Sequence, residues 1–228
     1  MKIKPVSFLL IISSIFLNAQ STEFSAPIAD SDITFMENNG MVSVEAEYFN
    51  KQSKSDIRQW YITAKNAVTH VGQDKDAPHH EGASNGTYIE ILPDTRVTHA
   101  DNLIKGENFT NKAGEIGVLH YNVRINSPGR YYVWARAFST GSEDNGLHVG
   151  LNGEWPEHGQ RMQWCNGKNK WTWESKQRTK EEHCGIPKEI YLDIEKAGVH
   201  DIQFSMREDG FEFDKFILTK DIDYTPKD

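Results

Sequence analysis

Two glutamates near the start of the chain are spaced for shared chemistry. The stretch "MVSVEAEYF" (41–49) alternates apolar residues with Ser43, Glu45 and Glu47, which is the period-two pattern of a strand with one face in a core. On such a strand Glu45 and Glu47 point the same way, with Cα atoms about 6.5–7 Å apart. From this stretch alone the pair could bind one cation, act as an acid and a base, or form a solvated strand face.

More carboxylates stand near the other end of the chain. In "REDGFEFDKFILTKD" (207–221) the phenylalanines anchor a final strand, while Glu212 and Asp214 alternate with them and face outward. If the first and last strands are neighbours, Asp214 lies beside Glu45 and Glu47. Three carboxylates repel one another unless a hard cation neutralises them, and Ca²⁺ suits such a site because it takes six to eight oxygen ligands.

Other polar residues raise the alternative of an enzyme. A polysaccharide lyase or hydrolase needs a general base within hydrogen-bond reach of the proton that it removes, and the chain has enough side chains for that role. Their spacing does not demand it, since "HHE" at 79–81 is not the helical zinc motif and no serine occupies a nucleophile elbow. The candidates are His79, His80, His99, His120, His148 and His183, with Tyr121 and Arg124.

The N-terminus has the pattern of a secretory signal. A basic start at Lys2 and Lys4 precedes an apolar run too short to span a bilayer, and the small residue Ala19 follows. We expect residues 1–19 to be removed and the protein to be secreted, or to reach the periplasm or cell surface. Removal makes the formal net charge of −8 more negative by two, which argues against nucleic-acid binding.

The chain has two cysteines, Cys165 and Cys184. Export would place them where disulfides persist, so we expect them to pair. The bond would close a loop of about twenty residues, contribute about 3 kcal/mol in the chain-entropy model and pin a long loop. Two thiols alone are a poor zinc site.

Short strand patterns separated by turn residues fill the rest of the chain. With no long amphipathic helix, about nine such strands predict an all-β fold, an antiparallel β-sandwich of the jelly-roll type. We expect a leader at 20–39, one domain at 40–222 and a tail at 223–228. Besides 41–49 the predicted strands are 87–92, 117–125, 130–138, 146–151, 170–175, 188–194, 199–206 and 211–219, and 57–63 could form a short one.

Several fragments in order resemble one group of families. "VSVEAEYF", "PGRYYVWARA", "LDIEKAGVHDIQFSMRE" and "GFEFDKFILTKD" look like the family 6 and family 35 carbohydrate-binding modules and the C-terminal module of family 115 glycoside hydrolases. The likeness covers residues 41–221. It implies a β-sandwich with a structural Ca²⁺ held by Glu45, Glu47 and Asp214, and sugar binding through loops at one edge of the sandwich.

The tryptophans are candidates for the aromatic residues that would stack on sugar rings at the implied binding site. Four of them lie in "LNGEWPEHGQRMQWCNGKNKWTWES" (151–175), and sugar rings stack their C–H faces on aromatic rings. The resemblance favours Trp171 and Trp173, although a tryptophan in a sandwich is more often a core residue, and we assign Trp134 to the core. The predicted ligand-binding residues are Trp171, Trp173, Trp155, Trp164, Trp60, Arg161, Phe211 and Asp209.

The same segment is rich in basic residues although the protein is acidic. They could meet the carboxylates or sulfates of an anionic polysaccharide, and arginine can do so with two hydrogen bonds. Nearby glutamates dilute this signal, so an ordinary solvated loop is equally compatible with it. The basic residues are Arg161, Lys168, Lys170, Lys176, Arg178 and Lys180.

Together these patterns predict a secreted, non-catalytic carbohydrate-binding module with a structural Ca²⁺. We expect it to be a monomer that binds a polysaccharide or oligosaccharide, and to have no nucleic-acid or membrane partner. The alternatives are a small jelly-roll polysaccharide lyase or glycoside hydrolase, and an adhesion domain that kept the fold without binding sugar.

Overall fold

The structure is a computed structural model that describes residues 33–65 and 74–227. The predicted signal peptide and most of the predicted leader lie outside these residues. The described residues include no helix that is long and apolar enough to span a membrane.

Two β-sheets pack face to face, which confirms the predicted β-sandwich. The first sheet runs in the order β1, β6, β14, β8, β9, β11, β12, and β3 also pairs with β6. Its strands are β1 (Thr34–Met36), β3 (Lys51–Ser53), β6 (Val118–Ile125), β8 (Gly146–Leu151), β9 (Met162–Gln163), β11 (Lys176–Gln177), β12 (Ile186–Pro187) and β14 (Gly198–Met206).

The second sheet runs in the order β10, β7, β15, β5, β4, with β13 on β7 and β2 on β15. Its strands are β2 (Met41–Glu45), β4 (Gln59–Ala64), β5 (Thr87–Leu92), β7 (Gly129–Phe138), β10 (Trp171–Glu174), β13 (Tyr191–Ile194) and β15 (Glu212–Thr219). Single 3-10 turns lie at Ala46–Tyr48, Ser84–Gly86 and Glu157–Gly159.

The long strands follow the predictions closely, and the differences concern short elements. Strands β3, β9, β11 and β12 have two or three residues each, too few for a period-two pattern to be visible. Strand β1 lies inside the predicted leader and pairs in parallel with β6. Strand β2 ends at Glu45, so Glu47 lies in a 3-10 turn, and the expectation that one strand face carries both glutamates was wrong.

The last strand, β15, joins most of the second sheet. It pairs with β7 along its length and with β5 and then β2 on its other side, so the first strand of that sheet lies beside the last. The register with β7 shifts between Phe213 and Lys215. This bulge lets Phe213 and Phe216, which are three residues apart, both point into the core, where strict alternation would send one of them outward.

Outward-facing residues of β15 are not exposed. Glu212 and Asp214 were predicted to face outward, and they lie on the outer face of the second sheet, yet both are buried. The connection between β4 and β5 covers them, and the backbone N–H of Ser84 donates to Asp214 Oδ1 at 2.8 Å. We call residues 74–86 of this connection the β4–β5 loop.

Removing a core ring should test this packing directly. Phe216 is fully buried and contacts Tyr121 edge to face, with ring centroids 4.9 Å apart. We expect Phe216→Ala to lower the free energy of unfolding by about 3–5 kcal/mol, because it removes buried surface and leaves a cavity. Val199→Ala, at a half-exposed valine, should change it by less than about 0.5 kcal/mol in the same urea titration. Equal effects of the two substitutions would contradict this packing.

Candidate functional site

Three of the predicted sugar-binding aromatic residues lie in the core. Trp60, Trp164 and Phe211 are at most 1% exposed. The Trp60 indole N–H donates to the carbonyl of Gly117 at 2.7 Å, and Trp164 packs edge to face on Phe211. None of these rings offers a face to a ligand, because all three are packed in the hydrophobic core.

Asp209 is also structural in this arrangement. It is fully buried, pairs with Arg58 at 2.8 Å and accepts a hydrogen bond from the backbone N–H of Thr95 at 2.8 Å. Removing one partner of such a buried pair leaves the other charge uncompensated, so this residue holds the loops that it joins.

Trp171 and Trp173 share the outer face of the second sheet, as predicted for a strand at this position. Trp171 is only 7% exposed, because the β4–β5 loop covers it and its indole N–H donates to the carbonyl of His79 at 3.0 Å. It packs against Tyr88 and Phe138. Trp173 is half-buried and lies opposite Arg136.

Two further tryptophans lie near the surface. Trp155 is half-buried, and its ring lies so close to Gly114 and Gly150 that a Cβ at either glycine would collide with it. Trp134 was assigned to the core, and this was wrong. It alternates with the buried Val133 and Ala135 and therefore lies half-buried on the outer face.

The predicted disulfide is present, and it shapes one edge of the first sheet. Cys165 and Cys184 are bonded, with Cα atoms 5.4 Å apart. The bond ties the segment after β9 to the segment before β12, on either side of β11 in the sheet order. The loop at 178–185 is thereby held beside the end of β14.

A pocket of about 670 Å³ opens at this edge, and we call it the basic pocket. It combines four cationic side chains with a histidine, an aromatic ring and two glutamates. Its lining residues are Phe109, Asn111, Glu157, Arg161, Arg178, Thr179, Lys180, Glu181, His183 and Arg207.

Arg207 forms the buried wall of the basic pocket. It directly follows β14, lies over the ring of Phe109 at 5.1 Å and pairs with Glu208 at 2.6 Å. Its Nε has no hydrogen-bond partner among the described residues. A buried cationic donor without a partner is costly, so this side of the pocket favours an acceptor.

Arg161 and Arg178 are fixed to each other by the backbone. The Arg178 backbone N–H donates to the Arg161 carbonyl at 2.9 Å, and Arg161 Nε donates to the Arg178 carbonyl at 3.2 Å. Arg161 also forms an ion pair with Glu157, whereas no carboxylate of the described residues pairs with Arg178 or Lys180. The main chain of Arg178 is thus fixed, while its guanidinium lies 3.3 Å from His183 Nε2 and keeps further donors for a ligand.

Electrostatics at the basic pocket show an excess of positive charge. Burial, together with the nearby Arg207, lowers the pKa of the Arg178 guanidinium from its ordinary value. The Arg178 charge, with burial and Arg207, lowers the pKa of His183. An anion placed between these side chains would relieve their repulsion.

The sequence pointed to part of this pocket. Arg161, Arg178 and Lys180 were among the basic residues singled out, while Phe109 and Arg207 come from distant segments that only the fold brings near. Lys176 instead pairs with Glu174 at 2.8 Å, and Lys168 lines another surface groove. The structure therefore buries Trp60, Trp164 and Phe211, leaves Trp155 and Trp173 half-buried, and brings three guanidinium groups to the basic pocket.

The predicted metal ligands Glu45, Glu47 and Asp214 lie near one another, but they are not among the groups of described residues whose possible ligand atoms all lie within 4.8 Å. Glu47 is 5% exposed, and burial, with repulsion from Glu45 and Asp214, raises its pKa to about 7. Glu45 Oε2 and Glu47 Oε2 are buried without a hydrogen-bond partner among the described residues. Two side-chain cations already lie here, since Lys215 pairs with Glu45 at 3.2 Å and Arg136 with Asp214 at 2.6 Å.

Comparison with known protein families identifies the family of this chain. Residues 34–224 match the glycosyl hydrolase family 115 C-terminal domain. The chain belongs to this family. The protein P23 of Formosa agariphila, whose function is uncharacterized, is 60% identical to this chain over 227 residues. The chain covers 55% of that relative's length, about half of it.

Several solved structures are distantly similar to the family 115 C-terminal domain. The GH26-CBM35 β-(1,4)-mannanase of Podospora anserina is 13% identical with a TM-score of 0.46, covering 84% of this chain and 29% of that one. A family 35 carbohydrate-binding module from Clostridium thermocellum is 14% identical with a TM-score of 0.43, covering 78% and 96%. The C-terminal CBM6 of LamC, from Zobellia galactanivorans, has the same identity and TM-score and covers 79% and 99%.

A buried histidine behind the basic pocket predicts a pH dependence. His148 is fully buried, accepts a hydrogen bond from the backbone N–H of Arg161 at 3.1 Å and donates to the Thr110 carbonyl at 3.2 Å. Burial above all lowers its pKa to about 3. The native state therefore binds fewer protons than the unfolded chain, and the stability due to neutral His148 is lost as the pH falls from about 6.5 towards 3.

We expect the wild-type protein to lose about 2 kcal/mol of stability through His148 between pH 7 and pH 4.5. Urea denaturation at both pH values should show a smaller loss for His148→Gln than for the wild type. His200→Gln, at a half-buried histidine, serves as the control and should keep the full loss. An identical pH dependence in His148→Gln would show that His148 is not held neutral.

Proposed function

We propose that this domain is a secreted, non-catalytic carbohydrate-binding module that holds an anionic polysaccharide in the basic pocket. The family match and the β-sandwich support a carbohydrate-binding module. The observation that carries the proposal for the ligand is the convergence of Arg161, Arg178 and Arg207 on one cavity of a protein with a formal net charge of −8.

The charges in the basic pocket favour acidic sugars over neutral ones. Arg178 and Lys180 have no carboxylate partner in the described part of the chain, and Arg207 Nε has no acceptor there. A uronate carboxylate or a sulfate ester supplies planar or clustered oxygens that match a guanidinium fork. The sugar ring itself can lie against the half-buried ring of Phe109.

The cavity size fits a few sugar residues and not a long chain segment. Its volume of about 670 Å³ lies within the usual range for ligand pockets. Glu157 and Glu181 at the lining would oppose a second anionic group nearby. The pocket therefore suits a chain end or a short acidic stretch of polysaccharide.

Removal of the Arg178 guanidinium should weaken binding selectively. We expect Arg178→Ala to weaken the affinity for a uronate-containing or sulfated polysaccharide by about tenfold or more, or about 1.4 kcal/mol, since charge-assisted hydrogen bonds are lost. Isothermal titration calorimetry or affinity electrophoresis measures this. Rising salt should weaken wild-type binding as well, because the contact is between opposite charges.

Arg124→Ala is the matched control, since it removes an exposed arginine from β6 with the same change in charge. It should leave the affinity unchanged. Equal retardation by neutral and acidic polysaccharides, or unchanged binding by Arg178→Ala, would contradict the proposed ligand. New reducing ends or unsaturated sugar ends after incubation would contradict the non-catalytic role.

Export is part of the same proposal. A signal-like segment at 1–19 and the Cys165–Cys184 disulfide both suit a protein that works in an oxidising compartment outside the cytoplasm. Such a location gives a carbohydrate-binding module access to polysaccharides.

We further propose that Glu45, Glu47 and Asp214 hold a structural Ca²⁺. The buried Oε2 atoms of Glu45 and Glu47, which lack partners among the described residues, support a cation here. Lys215 and Arg136 compete for the same carboxylates, so ion binding would loosen their ion pairs. The ion would link strand β2, the turn after it and strand β15.

Calcium should then raise the melting temperature. An ion that binds only the folded state stabilises it by about 2.7 kcal/mol when its concentration is one hundred times Kd. Differential scanning calorimetry with Ca²⁺ and after chelation measures the shift, and Glu47→Gln should abolish it. Glu195→Gln, at an exposed glutamate, should keep it. If the melting temperature of the wild type is the same with Ca²⁺ and after chelation, the proposed Ca²⁺ site is ruled out.

A further inference from the structure

Beneath the β4–β5 loop, the outer face of the second sheet gathers acids that the proposed function does not use. Glu90 on β5 and Glu212 on β15 lie directly opposite each other in the register of the two strands. Three side chains of the loop approach them from above. We call this set the loop–sheet cluster, and its members are Asp74, Asp76, His79, Glu90 and Glu212.

The possible ligand atoms of the loop–sheet cluster converge closely. Those of Asp76, His79 and Glu212 all lie within 4.8 Å of one another, and so do those of Asp74, Asp76 and Glu90. His79 Nδ1 lies 2.6 Å from Glu212 Oε1. Asp76 belongs to both groups, so the two sets of three ligand atoms adjoin each other.

Two buried atoms of the cluster are left without partners. Glu90 is 1% and Glu212 is 2% exposed, and the Oε2 atom of each has no hydrogen-bond partner among the described residues. No lysine or arginine of the described ranges 33–65 and 74–227 pairs with the four carboxylates, whose one ion-pair partner is the imidazole of His79. Unpartnered buried carboxylate oxygens are costly unless a proton or a cation neutralises them.

The protein environment resists ionisation of these acids. Burial, followed by repulsion between the carboxylates, raises the pKa of Glu90 well above its ordinary value. Burial and the neighbouring Asp76 raise the pKa of Asp74 to about 7. The cluster therefore holds either protons shared among its acids or a positive ion, and the two states differ in their response to added metal.

We propose that the loop–sheet cluster binds one divalent transition-metal cation, of the Mn²⁺ or Zn²⁺ type. The geometry supplies one imidazole nitrogen and several carboxylate oxygens. Ca²⁺ takes oxygen ligands, whereas imidazole suits first-row transition metals and carboxylates suit Mn²⁺. This donor set distinguishes the cluster from Glu45, Glu47 and Asp214, which offer oxygen alone.

The bound ion would fasten the loop to the sheet. Three ligands come from the β4–β5 loop and two from strands β5 and β15. The same loop covers the apolar group of Ala83, Tyr88, Phe138 and Trp171. Asp76 and His79 are half-buried, so the ion would keep a side open to water.

Mn²⁺ is the probe for this site because its electron spin reports the ligand nitrogen. The whole protein, freed of metal and then loaded with one equivalent of Mn²⁺ in the presence of excess Ca²⁺, should show electron spin echo modulation from ¹⁴N. His79→Gln should lose the modulation. Glu212→Gln and Asp76→Asn should weaken Mn²⁺ binding by about tenfold or more, and Zn²⁺ should displace the Mn²⁺.

The controls separate this site from the proposed Ca²⁺ site. Glu47→Gln removes an oxygen ligand elsewhere and should keep both the Mn²⁺ affinity and the nitrogen modulation. Circular dichroism checks that each variant is folded. If His79→Gln unfolds, the expected loss of Mn²⁺ affinity in Asp76→Asn is the deciding measurement. Absence of Mn²⁺ binding, bound Mn²⁺ without nitrogen modulation, or modulation that survives in His79→Gln would each overturn the proposal.

Discussion

Strand β15 is apolar on its inner face and acidic on its outer face, and both faces are buried. The rest of the structure depends on how these two faces are packed. Because of the bulge, Phe213 and Phe216 both point inward, and their rings form much of the aromatic core. Glu212 and Asp214 point outward, yet the β4–β5 loop buries them. Burial of carboxylates requires compensation, and the Arg136 guanidinium supplies positive charge to Asp214. Burial lowers the pKa of His79 and raises that of Glu212, so the contact between these two side chains is a hydrogen bond without full charges.

The binding surface proposed here lies away from that constraint. The basic pocket sits at the edge of the first sheet, where β9, β11 and β12 are short and the disulfide fixes the loop at 178–185. Hydrogen bonds join the main chain of Arg178 to Arg161, and Arg207 is buried, so the positions of these three residues around the pocket are fixed by the fold. The proposed ligand site and the buried carboxylates of β15 thus belong to different sheets.

Much of the fold could be predicted because its long strands are rich in apolar residues and are bounded by turn residues. Strands β5 and β8 have the predicted bounds, and β6, β7, β14 and β15 differ from them by one residue at one end. The pairing of Cys165 with Cys184 followed from there being two cysteines in a chain whose first residues are predicted to be an export signal. The position of Asp214 near Glu45 and Glu47 followed from the similarity of both chain ends to known modules.

The ligand site was harder to predict from the sequence than the strands. A period-two pattern indicates on which face of a sheet a residue lies, but it does not indicate what covers that face. Trp171 lies on the outer face as predicted, but the β4–β5 loop covers it, and this loop has no pattern that indicates where it packs. Trp60 alternates into the core in a segment that was predicted only as a short strand. Arg207 and Phe109 meet Arg161 through contacts between distant segments, which local spacing does not encode.

The most direct test of the central claim is a nuclear magnetic resonance titration of the folded protein with a short uronate-containing or sulfated oligosaccharide. The arginine Nε–Hε resonances of Arg161, Arg178 and Arg207 and the backbone of Phe109 should shift together with one affinity. The groove of about 440 Å³ that includes Tyr191 and His158 should stay unchanged. Shifts confined to that groove or to the outer face around Trp173, with the three arginines unmoved, would contradict the account.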